Sequence, residues 1–340
     1  DLHRRRHSFP TRRSSDLARY YADALKTMPD VQALGSRVNA LLSQAQTKAM
    51  LAATAAAANT KDKYLLIKAW GYGFWSDLDH VAAGLLLAEI TGRQPIVNWG
   101  SNSLFRDPQA AGNAFDHFFE PVSTLSMDVL TRDGLSFYPA KWNNGNLQLE
   151  DHQKWSGEGA RITGLYQLRR EEDVVVSDFH TKVNDLIPWI PESSPLFGKD
   201  RNQLYRHIFT KYLRLKPALQ AKVDQQAATL FAGKQWLAVH MRGSDKVKEM
   251  AHLDAINQAY WTSIDQILKV NPGLNIFLLT DSDQLLAEFK QRYGNKVQSL
   301  DCVRSSNDTG VHYAGHSGAE LGEQVIMDSW LAARCDMFLG

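Results

Sequence analysis

An α/β protein with mostly parallel sheets is what this 340-residue sequence predicts. Two observations carry the prediction. Short apolar, β-suited runs alternate with amphipathic runs at helical spacing, which is the pattern of repeated βαβ units. Several of those runs end in glycines or in dense polar groups, where open α/β sheets place their ligands. The length is enough for two domains. Lys plus Arg number 38 and Asp plus Glu number 37, so no overall charge points to nucleic acid. Two cysteines, Cys302 and Cys335, give neither a disulfide framework nor a zinc spacing, and they suit a reducing compartment. No apolar run approaches the roughly 20 residues of a membrane span.

Residues 1–17 are Arg- and Ser-rich without periodicity. They read as translated adapter sequence or as a disordered basic tail, outside the fold. Residues 18–62 read as a helical stem and linker. Val31, Leu34, Val38, Leu41, Ala45 and Ala52 fall at a/d spacing. A stem or dimerisation helix fits that spacing, and so does a helix packed on a domain surface.

The first α/β domain is expected over residues 63–232. Tyr64 to Trp70 is its first strand. Gly71-Tyr72-Gly73 follows, then a helix from about Ser76 to Thr91 with Ser76 and Asp79 as a capping-box-like pair. Gly-x-Gly lets a backbone approach a ligand closely. Asp77 and His80 on this helix are either functional or capping and surface residues. Pro95 to Trp99 is the second strand. The aromatic run Asn113–Val122 reads as core more than as a sugar platform. Trp142 to Gly159 is a long polar-aromatic loop whose Trp142 and Trp155 are either acceptor-stacking rings or a surface excursion. Asp173 to Ser177 is another buried strand, and Asn202 to Pro217 is an amphipathic helix.

The second domain is expected over residues 233–340. The apolar run Trp236 to Val239, bounded by Gly233 and Gly243, reads as a buried strand. His240, Arg242, Asp245, Lys246 and Glu249 crowd its end. Two cations and two carboxylates there can bind an anion and move a proton. Further on, Ala255–Val270 is a helix, Asn275–Thr280 a strand and Ser282–Tyr293 a helix. Asp281-Ser282-Asp283 at that strand end could hold a divalent metal, or Asp283 could stabilise the helix's first turn. Lys296 to Asp301 is a strand, and a helix carrying Val325 and Trp330 leads to the strand Cys335–Leu339.

Three of these stretches together resemble the α1,6-fucosyltransferase and nodulation fucosyltransferase superfamily. They are GYGFWSDLDHVAAGLLLAEITGRQPIV, HMRGSDKVKEM and GEQVIMDSWLAARCDMFLG, in that order. The resemblance covers roughly Tyr64 to Gly340. It implies a GT-B architecture: two facing Rossmann-like domains, with the donor on the C-terminal one. It implies an inverting transferase that moves fucose from GDP-fucose to a glycan hydroxyl without a metal or other cofactor. In that likeness Arg242 grips the β-phosphate, helped by Lys246, and Glu249 is the general base. His240 lies near guanine, Asp328 accepts from the guanine donor edge, Gly71 touches the fucose with Gly73 in the same loop, and Asp281 lies at the donor site.

Departing GDP gains charge on its β-phosphate, and a planar guanidinium matches that group. Two departures are visible. The spacing to Glu249 is one residue shorter than in the α1,6 enzymes, and Gly243 stands where those enzymes carry a second Arg. The family's Ser-rich phosphate loop has no counterpart before Gly340, so the chain is expected to stop short of it. The other readings are a non-catalytic glycan- or nucleotide-binding module of this fold, and a metal-dependent transferase using Asp281 and Asp283. Expected partners are a GDP-sugar and a glycan acceptor, with a homodimer through the N-terminal helix and no nucleic acid. The expected location is cytoplasmic, bacterial in type, with peripheral membrane association left open.

Overall fold

A computed structural model describes residues 63–107, 109, 112–149, 164–243, 253–306 and 316–340, with side chains from 255 onward in the fifth of these stretches. The expectations for the N-terminal tail and helix, for Trp155 and for Asp245, Lys246 and Glu249 lie outside these residues. Residues 62–340 belong to one compact unit.

The first sheet has the order β2-β1-β4-β3, all parallel: β1 is Tyr64–Lys68, β2 Gln94–Asn98, β3 Phe137–Tyr138 and β4 Val174–Ser177. Its central strands are buried on both faces, which is why YLLIK and VVVS read as continuous apolar runs. Leu65, Leu66 and Ile67 are fully buried, each contributing about 1.5–3 kcal/mol by leaving water. Helix α1 (Phe74–Thr91) follows β1 and ends on Gly92 in the left-handed region, φ 67°. It begins two residues earlier than expected. Gly73 is its N-cap, and Ser76 lies inside the first turn with its N–H bonded to the Gly73 carbonyl. Asp79 makes no box with Ser76; it accepts from the Tyr205 hydroxyl and lies 3.3 Å from His180 Nε2. The short strand β3 was not anticipated; two residues give periodicity nothing to act on. The aromatic run forms the short helix α2 (Phe115–Phe118), with Phe115, Phe118 and Phe119 in the core as expected.

Helices α3 (Val183–Leu186), α4 (Arg201–Tyr212) and α5 (Pro217–Phe231) lead to the second sheet. Asp200 and Gln203 form a reciprocal capping box at the start of α4. The second sheet has the order β7-β6-β5-β8, again all parallel: β5 is Trp236–His240, β6 Asn275–Leu279, β7 Val297–Gln298 and β8 Met337–Leu339. Helices α6 (Leu253–Val270), α7 (Asp283–Tyr293) and α8 (Gly318–Ala332) connect its strands. One hydrophobic cluster runs through both halves, from Leu65, Val81 and Phe119 to Trp236, Phe277, Ile326 and Leu331. Trp75 on α1 stacks on Trp330 of α8 at 6.3 Å and donates to Ser329 Oγ at 3.1 Å. Among the described residues no helix is long and apolar enough to cross a membrane.

Candidate functional site

Strand β5 delivers His240 and then Arg242 to the carboxyl end of the second sheet, and β6 delivers Asp281 beside them. Asp281 is mostly buried, and Arg242 keeps 39% of its side-chain surface exposed. One oxygen of Asp281 pairs with Arg242 Nε at 2.6 Å, and the other accepts the Gly243 N–H at 3.0 Å. The Arg242 carbonyl is within 3.4 Å of Asn257 Nδ2. The carboxylate therefore anchors the guanidinium at its inner nitrogen. Asp281 is a positioning residue for Arg242 in this geometry.

Gly243 has a packing reason of its own. A Cβ there would lie 2.6 Å from Leu285 Cδ1 and 3.0 Å from Ser282 Cβ. The turn packs onto the start of α7, so a side chain at position 243 would require Leu285 to move. Ser282 caps α7 by accepting from Leu285 N, and Asp283 occupies the first turn, where a carboxylate favours the helix dipole.

His240 keeps an open surface but is ringed by protein. Desolvation lowers its pKa first, and the positive charge of Arg242 lowers it further against the pull of Asp281. It is a neutral imidazole at pH 7. Asp328 on α8 is the opposite case. Desolvation pushes its pKa up to about 7, with Arg304 pulling it down. Cys302 Sγ is 4.0 Å from Asp328 Oδ1, and burial pushes that thiol up to about 12, so it is inert at neutral pH. Arg304 is held by the carbonyls of Leu300 and Cys302. The segment is tied to the Arg242 pair, because Ser305 N donates to the Asp281 carbonyl at 2.8 Å and Asp283 N to the Ser305 carbonyl at 3.1 Å. The stretch from Cys302 to Ser305 thus links the surroundings of Asp328 to the Arg242–Asp281 pair.

On the first sheet, the loop after β1 is built around Gly71, whose φ of 86° favours glycine. Asp77 is fully buried, and its Oδ1 accepts the Gly71 N–H at 2.8 Å. His80 is fully buried too. Its Nδ1 accepts from Thr181 N at 3.3 Å, which leaves Nε2–H to donate to the Ser177 carbonyl at 3.3 Å. The two residues shape the Gly71 loop and the end of β4; neither is a surface residue. A Cβ added at Gly73 would meet open space. Around this loop Trp70 contacts Tyr72, Phe179 and His180 at ring distances of 4.8, 5.1 and 5.8 Å.

Trp142 is not a sugar platform. It is 5% exposed, with Lys68 Nζ 4.7 Å and Lys141 Nζ 5.3 Å from its ring. Lys68 is itself buried and donates to the carbonyls of Leu147 and Leu149 at 2.6 and 2.8 Å. Lys141 pairs with buried Asp178 at 2.8 Å. Sequence reasoning missed Lys68, Asp178 and Arg304. The first interrupts an apolar strand, which was a visible signal; the others sit in loops without a pattern.

Two sheets of parallel strands, each with helices between its strands, make this a two-sheet α/β protein of the Rossmann-like kind. The solved structures agree. NodZ α-1,6-fucosyltransferase co-crystallised with GDP matches with TM-score 0.50 and 18% identity, over 81% of this chain and 87% of that one. The crystal soaked with GDP-fucose matches with TM-score 0.50 and 19% identity over the same shares. Fucosyltransferase NodZ from Bradyrhizobium matches with TM-score 0.50 and 18% identity, over 81% of this chain and 88% of that one. At these identities the likeness is one of fold. No curated protein matches the chain. The family model for Nodulation protein Z (NodZ) matches residues 62–340, and the chain belongs to that family.

Proposed function

We propose that this protein transfers fucose from GDP-fucose to a glycan hydroxyl with inversion at the anomeric carbon and without a metal. The observation that carries the reading is the Arg242 guanidinium, anchored at Nε by Asp281 and still 39% exposed at a strand end. The acceptor oxygen bonds to the anomeric carbon as Glu249 takes its proton. The bond from that carbon to the β-phosphate oxygen breaks on the opposite face. The electron pair leaves with GDP, and Arg242, helped by Lys246, takes up the charge. The roles of Glu249 and Lys246 come from the motif alone. Asp328 accepts from the two donors on the guanine edge. His240, being neutral, can accept or donate beside the base. Gly71 and Gly73 bring backbone close to the sugar.

The metal-dependent alternative is disfavoured by the use already made of its ligands. Both Asp281 oxygens are engaged by Arg242 and Gly243, and Asp283 serves the α7 terminus.

Replacing Arg242 with Ala should lower kcat on the order of 100-fold or more, as loss of one transition-state donor does. Unchanged turnover removes Arg242 from the chemistry. Loss of transfer on adding EDTA would restore the metal reading, and GDP binding without transfer would leave the non-catalytic module. Titration with GDP-fucose, GDP-mannose and UDP-sugars assigns the donor.

A further inference from the structure

A cavity of about 440 Å³ opens at the carboxyl end of β2, one strand across from the Gly71 loop. Asn98, Ser101, Arg106, Asn113, Met127 and Gln148 line it, with glycine backbone between them. Its size is that of a small-molecule site.

Its frame is fixed. Asn113 Oδ1 accepts from Trp99 N at 2.7 Å, and its Nδ2 donates to the Val97 carbonyl at 2.8 Å. Gln148 sits between the two residues whose carbonyls Lys68 holds. Two polar groups stand out against this frame. Asn98 is 4% exposed, and its Nδ2 has no hydrogen-bond partner. Arg106 Nε is buried and equally without one. Buried donors are nearly always satisfied, and one left without a partner is costly.

Among the described residues that line the cavity there is no carboxylate. The one charged side chain in the described lining is Arg106; Asn98, Gln148 and Ser101 beside it are neutral groups that both donate and accept. A ligand rich in acceptor oxygens and carrying negative charge complements it.

We propose that this cavity is an acceptor subsite for an oxyanion carried on a sugar, with Arg106 as its charged contact and Asn98 as its neutral donor. The inference rests on the proposed transfer reaction, with the donor on the C-terminal half and the acceptor met from this one. It makes the acceptor a sugar acid, or a sugar bearing phosphate or sulfate, and it makes Arg106 and Asn98 determinants of specificity.

The test is a ligand-observed NMR titration of the full chain with glucuronate, glucose, N-acetylglucosamine and inorganic phosphate. Glucuronate should bind at least tenfold tighter than the two neutral sugars. Phosphate that binds and displaces glucuronate also supports the site, and phosphate binding without glucuronate binding assigns the anion to phosphate or sulfate. Arg106→Gln should lose tenfold or more, with Arg106→Lys between it and the parent. Asn98→Leu should melt no lower than the parent, because the amide makes no bond within the fold, and should still lose the anion. Equal binding of glucuronate and glucose overturns the proposal. So does glucuronate binding unchanged in both Arg106→Gln and Asn98→Leu. GDP titrated into the same samples separates the two readings. A parent that binds glucuronate but not GDP loses the donor assignment alone, and GDP affinity should be unchanged in every variant.

Discussion

At the scale of single residues, Asp328 is the group whose environment most conflicts with its charge. Its carboxyl has a pKa of about 7 against 3.8 for an ordinary Asp, because the ionised form is desolvated. A group raised in this way stabilises the fold fully only below its unfolded pKa, and that contribution is lost as pH rises through about 7. Asp328→Asn should therefore raise the melting temperature at pH 8, by about 2–4 °C per kcal/mol recovered. The gain should shrink toward pH 5. The proposed guanine contact asks for the opposite protonation state, because the N1–H and N2–H₂ donors need a carboxylate. GDP binding at pH 7 should then release a fraction of a proton, and affinity should fall below pH 7 by up to tenfold per unit. Calorimetry in buffers of different ionisation enthalpy reads both effects. The Asp328→Asn substitution should abolish the proton release along with the affinity; a variant that binds GDP normally takes guanine away from this residue.

At the scale of elements, α1 is fastened to α4 by polar pairs along one side. Glu89 accepts from His207 Nε2 at 3.0 Å and Lys211 Nζ at 2.8 Å, while Asp79 takes the Tyr205 hydroxyl. Burial alone would raise Glu89, but the bonds from Lys211, Tyr212 and His207 outweigh it and hold its pKa below 4.5. A lowered carboxylate contributes stability above its unfolded pKa and loses it as pH falls through the folded one. Glu89→Gln should cost about 1–2 kcal/mol at pH 7. The deficit should vanish in the acid range below 4.5, where the parent's carboxylate also protonates. Urea unfolding followed from pH 7 down to pH 2 checks both halves. The elements themselves were legible because each strand core is an apolar run and each long helix has an apolar face. Their polar fastenings were not. Asp79 looked like a cap for Ser76 because the two are spaced as a box, yet Tyr205 and His180 lie more than 100 positions away, and nothing local encodes that meeting. In the same way Arg242 and Asp281 were each readable as strand-end polar groups, while their pairing depended on β5 and β6 lying side by side.

At the scale of the whole molecule, the sequence suggests two domains joined near residue 233, while the hydrophobic cluster crosses that point without a break. Ile326 on α8 is fully buried in it, together with Phe118 and Phe119 from the first half and Phe277 from the second. A cluster shared in this way makes the stability of each sheet depend on the other. Ile326→Ala should cost about 2–5 kcal/mol, the usual loss for an emptied aliphatic site. The informative quantity is where that loss is felt. If the two sheets unfold as one cooperative unit, slow hydrogen exchange at Leu66 on β1 and at Leu278 on β6 should report the same opening free energy, and the substitution should lower both equally. Independent lobes would show the loss at Leu278 alone, because α8 connects strands of the second sheet. Two separate calorimetric transitions would agree with that outcome, and the division at residue 233 would then hold in energy as well as in topology. A single transition with calorimetric and van't Hoff enthalpies in agreement would mean that any closing motion around a GDP-sugar bends a shared core, so that its amplitude is set by packing between α1, α2 and α8.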